Sequence, residues 1–112
     1  MFQVNEENKK IEITEGDFGI TLPIEINIEG TDLSSTDKFV FKIFEEINGE
    51  AIIEKNFENI TNNTIELKFT EEESKKLRVG RYYYDIDWFQ EDTFLLNILA
   101  KKRFVVNEKA GA

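Results

Sequence analysis

The chain has no cysteine and no histidine. Without cysteine there is no disulfide, no zinc–thiolate site and no thiol nucleophile, so packing alone must hold the fold. Without histidine, the commonest general base near neutral pH and the commonest transition-metal ligand are both missing, which removes a principal actor from most hydrolytic mechanisms. Proline occurs once, and the six glycines stand singly between apolar segments instead of grouping ahead of a helix, so no phosphate cradle is implied. No apolar run approaches the roughly 20 residues that a membrane-crossing helix needs. Met1 to Lys10 has neither the basic start and apolar stretch nor the small-residue cleavage site of a secretory signal. The expectation is a protein made and kept in the cytoplasm unless it leaves as part of a larger particle.

Positive charge is also scarce: 14 Lys and Arg stand against 23 Asp and Glu, a formal net charge of −9. Nucleic-acid affinity is built largely from Lys and Arg neutralising phosphates, so this balance argues against a nucleic-acid partner. Acidity of this size serves solubility and discourages self-association, and mimicry of nucleic acid by an acidic surface is the narrower alternative. What the chain does have is apolar bulk, with 40% hydrophobic and 12% aromatic residues, Phe far ahead of Tyr and Trp. At 112 residues this is a single folded domain, residues 1–112, burying roughly two-thirds of the surface of its unfolded chain, with 1–8 and 107–112 as flexible tails.

Period-two alternation dominates. Ile20, Leu22, Ile24, Ile26 and Ile28 make one buried strand face, with Pro23 on the other side, where the missing amide donor suits a sheet edge or a bulge. Ile11 and Ile13 flank Glu12 in a short first strand that ends at Glu15-Gly16-Asp17. After a polar loop from Gly30 to Asp37, Phe39, Phe41 and Ile43 alternate with Val40, Lys42 and Phe44 in a strand apolar enough on both faces to be central. Asn48-Gly49 turns the chain into a hairpin whose return is Ala51 to Phe57. Ile65, Leu67 and Phe69 follow an Asn/Thr-rich turn. Thr70-Glu71-Glu72-Glu73 has the form of a capping box, with Lys75 and Lys76 in the last turn of a brief helix near 71–77. Tyr82, Tyr84, Ile86 and Trp88 then share one strand face, Glu91-Asp92 turns, Phe94 to Leu99 returns, and Phe104 and Val106 close the last strand.

Seven to nine short strands with turns every 8 to 12 residues or so, and one helical turn, predict an all-β, immunoglobulin-like antiparallel β-sandwich, with a small barrel as runner-up. Leu77-x-x-Gly80-x-Tyr82-x-Tyr84 has the spacing of a tyrosine corner, in which a tyrosine hydroxyl bonds back to upstream backbone. Tyr82 is the corner candidate, and Tyr84 stands where a disulfide-bonded relative would carry a cysteine.

The carboxylate pairs Glu15/Asp17, Asp85/Asp87 and Glu91/Asp92 could in principle perform acid–base work, but turns account for the first and last, and Asp85 and Asp87 alternate with core residues, facing solvent or a cross-strand lysine. Asp32, Ser34 and Asp37 lack the spacing of an EF-hand calcium loop. Asn59-Ile60-Thr61 and Asn62-Asn63-Thr64 match glycosylation acceptors, but read as polar turns. No catalytic, cofactor or metal residue is assigned. The expected interaction surface is Tyr83, Phe89, Phe94 and Leu95. Sugar stacking on Tyr83, Trp88 and Phe89 is an alternative use, with core packing the preferred fate of Trp88.

Three stretches carry a resemblance over nearly the whole chain: Ile11-Glu12-Ile13-Thr14-Glu15-Gly16-Asp17 ahead of a long alternating strand, the Phe39 to Phe44 strand after a polar loop, and Leu77-x-x-Gly80-x-Tyr82-Tyr83-Tyr84-Asp85-Ile86 before a hairpin closing in Phe104-Val105-Val106. The chain resembles small phage and prophage structural proteins of immunoglobulin-like fold, akin to the N-terminal domain of baseplate upper proteins. It departs from that pattern at Trp88 to Asp92, where the family more often has a polar hairpin around glycine. The resemblance implies a non-enzymatic virion component of the baseplate, tail or head–tail region, assembled in the bacterial host cytoplasm. Its implied partners are other phage structural proteins or further copies of itself, with no nucleic acid, membrane or cofactor. A carbohydrate-binding module and an acidic phage-encoded inhibitor of a host protein are the alternatives.

Overall fold

Alternation on this scale requires strands with one dry face, and a computed structural model supplies them. It describes residues 3–4, 9–19, 21–26, 37–58, 60, 63–91 and 93–108. Among these the elements are β1 (Gln3–Val4), β2 (Ile11–Thr14), β3 (Thr21–Glu25), β4 (Asp37–Phe44), β5 (Ala51–Glu58), β6 (Thr64–Lys68), α1 (Glu71–Lys76), β7 (Gly80–Gln90) and β8 (Thr93–Asn107). They form a six-stranded sheet ordered β1-β2-β8-β7-β4-β5 and a two-stranded sheet of β3 and β6. The protein is therefore all-β. One part of the expectation is corrected: the larger sheet is mixed, because β2 runs parallel to β8, with Ile11 beside Phe104 and Ile13 beside Val106. These strands are far apart in the chain, so no tight turn forces them antiparallel.

Both sheets contribute to a single core. Phe39, Phe41 and Ile43 of β4, Tyr84 and Ile86 of β7, and Ile65 and Leu67 of β6 are all fully buried, each such side chain contributing about 1.5–3 kcal/mol by leaving water. Phe69, just past β6, reaches across the sheets. Its ring lies 6.4 Å from that of Phe41 and meets Phe104 edge-on at 5.9 Å, while Phe41 stacks on Tyr84 at 5.3 Å. Pro23 is exposed and faces Glu66 in the two-stranded sheet, where each strand keeps an outward margin that needs no amide donor. Ile20 and Ile28 lie outside the described residues, as do residues 30–36 of the polar loop. Asp37, expected at the end of that loop, instead opens β4.

The capping box forms. Thr70 Oγ1 accepts from the Glu73 amide at 3.1 Å, and Glu73 Oε1 accepts from the Thr70 amide at 2.9 Å. A second tie was not foreseen. Lys55 occupies the core-facing side of β5, opposite Phe41, and its Nζ reaches Glu73 Oε1 at 2.7 Å and the Lys68 carbonyl at the end of β6. The ammonium also lies 5.6 Å from the Phe69 ring centre. Burial raises the Glu73 pKa, but the hydrogen bonds from Lys55 and Thr70 and the Lys55 charge outweigh it, so the carboxyl sits below the usual glutamate range. Within the expected tails, Gln3–Val4 pairs with β2, and Asn107 ends β8 with its carbonyl bonded to the Glu15 amide at 2.9 Å.

Candidate functional site

The residues expected at the tyrosine corner lie along the turn into β7. Leu77 is buried beyond α1. Gly80 opens the strand at φ +156°, a conformation that suits a residue without Cβ. Tyr82 donates its hydroxyl to the Arg78 carbonyl at 2.8 Å and sets its ring edge-on to Phe104. Burial raises the Tyr82 pKa, a trend that the Arg78 bond partly offsets. Tyr84 is completely buried and donates its hydroxyl to the Lys9 carbonyl.

The face of β7 that points away from the core carries Tyr83, Asp85, Asp87 and Phe89. Its middle is latched by polar contacts. Asp85 accepts from the Lys101 backbone amide at 2.6 Å and from its Nζ at 3.2 Å, and the same ammonium covers the Phe44 ring at 3.7 Å. Asp87 accepts from Asn97 at 2.5 Å and pairs with Lys42 at 3.8 Å. Both carboxylates are thereby occupied by cross-strand partners. Asp37, buried at the start of β4, accepts from the Trp88 indole at 2.8 Å, and Trp88 packs partly buried against the core.

Beyond this latch the β7–β8 hairpin is apolar and open. Glu91 takes φ +55°, the left-handed geometry that a two-residue hairpin turn demands, and Gln90 pairs with Thr93. Asp92 is outside the described residues. The hairpin brings together three of the four expected surface residues. Phe89 meets Phe94 edge-to-face at 5.5 Å, and Phe94 and Leu95 are 53% and 42% exposed. Tyr83 does not join them, lying about 20 Å back along the strand by strand rise, where it pairs with Phe44 on one side and Arg103 on the other. Leu96, 49% exposed and opposite Trp88 on the same hairpin, was missed. The signal was in plain view as three consecutive apolar residues, which no alternating strand can bury together.

Beside the hairpin lies a shallow concavity of about 220 Å³, lined by Lys38, Val40, Asn56, Glu58, Phe89 and Glu91. Among the described residues no group of three or more Asp and Glu is placed to hold a metal ion, and no helix is long and apolar enough to cross a membrane. The fold and this surface define an all-β domain with an exposed apolar hairpin. The chain matches no protein-family model, no curated protein and no solved structure.

Proposed function

We propose that this chain is a non-enzymatic, immunoglobulin-like binding domain that works through protein–protein contacts as a structural or assembly component of a phage or prophage particle. The observation that carries the binding role is the run Phe94-Leu95-Leu96, about half exposed at the end of a hairpin whose neighbours are latched. Three exposed apolar side chains in succession on a chain this acidic cost solubility, and protein contact is the ordinary reason to keep them. The absence of cysteine and histidine from the sequence supports the non-enzymatic part. The particle assignment rests on the resemblance of the Leu77 to Ile86 segment and of the opening and closing strands. On that reading the protein is a baseplate, tail or head–tail component assembled in the bacterial cytoplasm.

The decisive experiment is antibody labelling of particles induced from the lysogen that carries the gene, imaged by electron microscopy. Label at a fixed place on the particle supports the proposal, and unlabelled particles from cells that contain the protein contradict it. The concavity lined by Phe89 together with Lys38, Asn56 and Glu58 favours a second reading as a glycan-binding module, since sugars combine aromatic stacking with polar contacts. Glycan-array binding that disappears in Phe89→Ala would support that reading.

A further inference from the structure

We propose that the Thr93–Ala100 margin of β8 pairs antiparallel with the same margin of a second copy of this chain. The inference rests on the protein-binding reading and names its partner. In the six-stranded sheet, β2 covers β8 only from Phe104 to Asn107. Between Thr93 and Arg103 the outer side of β8 has no strand partner among the described residues. Such a margin is a template for another strand unless it is guarded. The opposite margin, β5, is guarded by Glu54 and Glu58 and by the core-facing Lys55. From Thr93 to Ala100, by contrast, β8 carries no ionisable side chain at all.

Self-complementarity selects the occupant. The apolar stretch is bounded by Glu91 on the turn side and by Lys101, Lys102 and Arg103 on the other. An antiparallel meeting centred on Asn97 sets Glu91 of each copy against Arg103 of the other and lays the apolar stretches side by side. Both Glu91 and Arg103 are exposed. A net charge of −9 makes random encounters between copies repulsive, whereas this orientation brings Arg103 of each copy onto Glu91 of the other. Pairing about a two-fold axis occupies the β8 margin of both copies at once, so the contact is closed and the product is a dimer. The β7–β8 register shifts at three places, between Tyr84 and Ile86, Ile86 and Asp87, and Trp88 and Phe89. A continuous new ladder is therefore short, and Phe94, Leu95 and Leu96 supply most of the contact.

Sedimentation equilibrium from micromolar to millimolar protein tests this directly. The mass is expected to rise with concentration from 13.1 kDa towards twice that value. Leu96→Lys is expected to remain at the single-chain mass with unchanged far-ultraviolet circular dichroism, since the side chain it replaces is about half exposed. Glu91→Arg and Arg103→Glu should each weaken the dimer by about tenfold, because symmetry alters two contacts at once, and an equimolar mixture of these two variants should recover it as a heterodimer. A wild type that stays monomeric throughout overturns the self-pairing, leaving the open margin to a strand of another protein. A dimer indifferent to Leu96→Lys and to both charge reversals also overturns it. Neither result touches the particle assignment, which stands or falls on the antibody labelling.

Discussion

Replacing Lys55 with methionine keeps the aliphatic stem in the core and removes the ammonium that joins β5 to the end of β6 and to α1. Three contacts go together: the 2.7 Å bond to Glu73, the bond to the Lys68 carbonyl, and the position 5.6 Å from the Phe69 ring centre. A fully exposed pair would be worth about 0–1 kcal/mol, but the Lys55 and Glu73 side chains are only 19% and 21% exposed. Charge-assisted hydrogen bonds contribute about 1.5–3 kcal/mol, and partial access of water to the vacated groups places the expected loss near the middle, about 2 kcal/mol. For a domain of this size that lowers Tm by about 8 °C. Urea unfolding of the wild type, Lys55→Met, Glu73→Gln and the double variant measures both the loss and the coupling, which should be about 1 kcal/mol. A loss under about 0.5 kcal/mol for Lys55→Met, or strictly additive single variants, would refute the view that this lysine fastens the two sheets together.

Trp88→Phe leaves the buried Asp37 carboxylate short of one donor and should cost about 1–3 kcal/mol in urea unfolding, whereas a cost near zero would mean that the indole bond is idle. Tyr82→Phe keeps the ring against Phe104, loses the bond to the Arg78 carbonyl, and should cost about 1 kcal/mol by the same assay. Because the Glu73 pKa is lowered in the folded state, its contribution is fully present above the unfolded glutamate range, near pH 4.3, and is lost as pH falls through and below it. Unfolding measured from pH 7 to pH 3 should therefore show the wild type and Glu73→Gln converging at the acid end, and a gap that widens towards acid would contradict the lowered pKa.

Much of the fold was legible because strand alternation reports burial directly. Phe39, Phe41 and Ile43, or Ile65 and Leu67, announce one dry face at period two, and Thr70 with Glu73 announces a helix start through two local hydrogen bonds. The long last strand was harder to read. Phe94 to Leu99 shows no alternation because register shifts against β7 rotate successive side chains out of phase, so one bulged 15-residue strand looks like two separate pieces. The parallel pairing of β2 with β8 leaves no local trace, since it depends on which distant margin is free. Lys55 escaped notice for a related reason. A lysine at a core-facing position reads as a break in the pattern until its carboxylate and carbonyl partners, held on other elements, are known. At the surface, Phe89, Phe94 and Leu95 could be named from their place on either side of the Glu91-Asp92 turn, but their separation from Tyr83 depends on the length of β7.

Hydrogen exchange read by mass spectrometry at two protein concentrations, one low and one near millimolar, tests most directly whether the unguarded side of β8 is where this protein meets its partner. Amides from Thr93 to Ala100 should gain protection at the higher concentration, while those of Ala51–Glu58 on the guarded side stay unchanged. Protection that is independent of concentration in both segments, or that appears on β5 instead, would contradict the account.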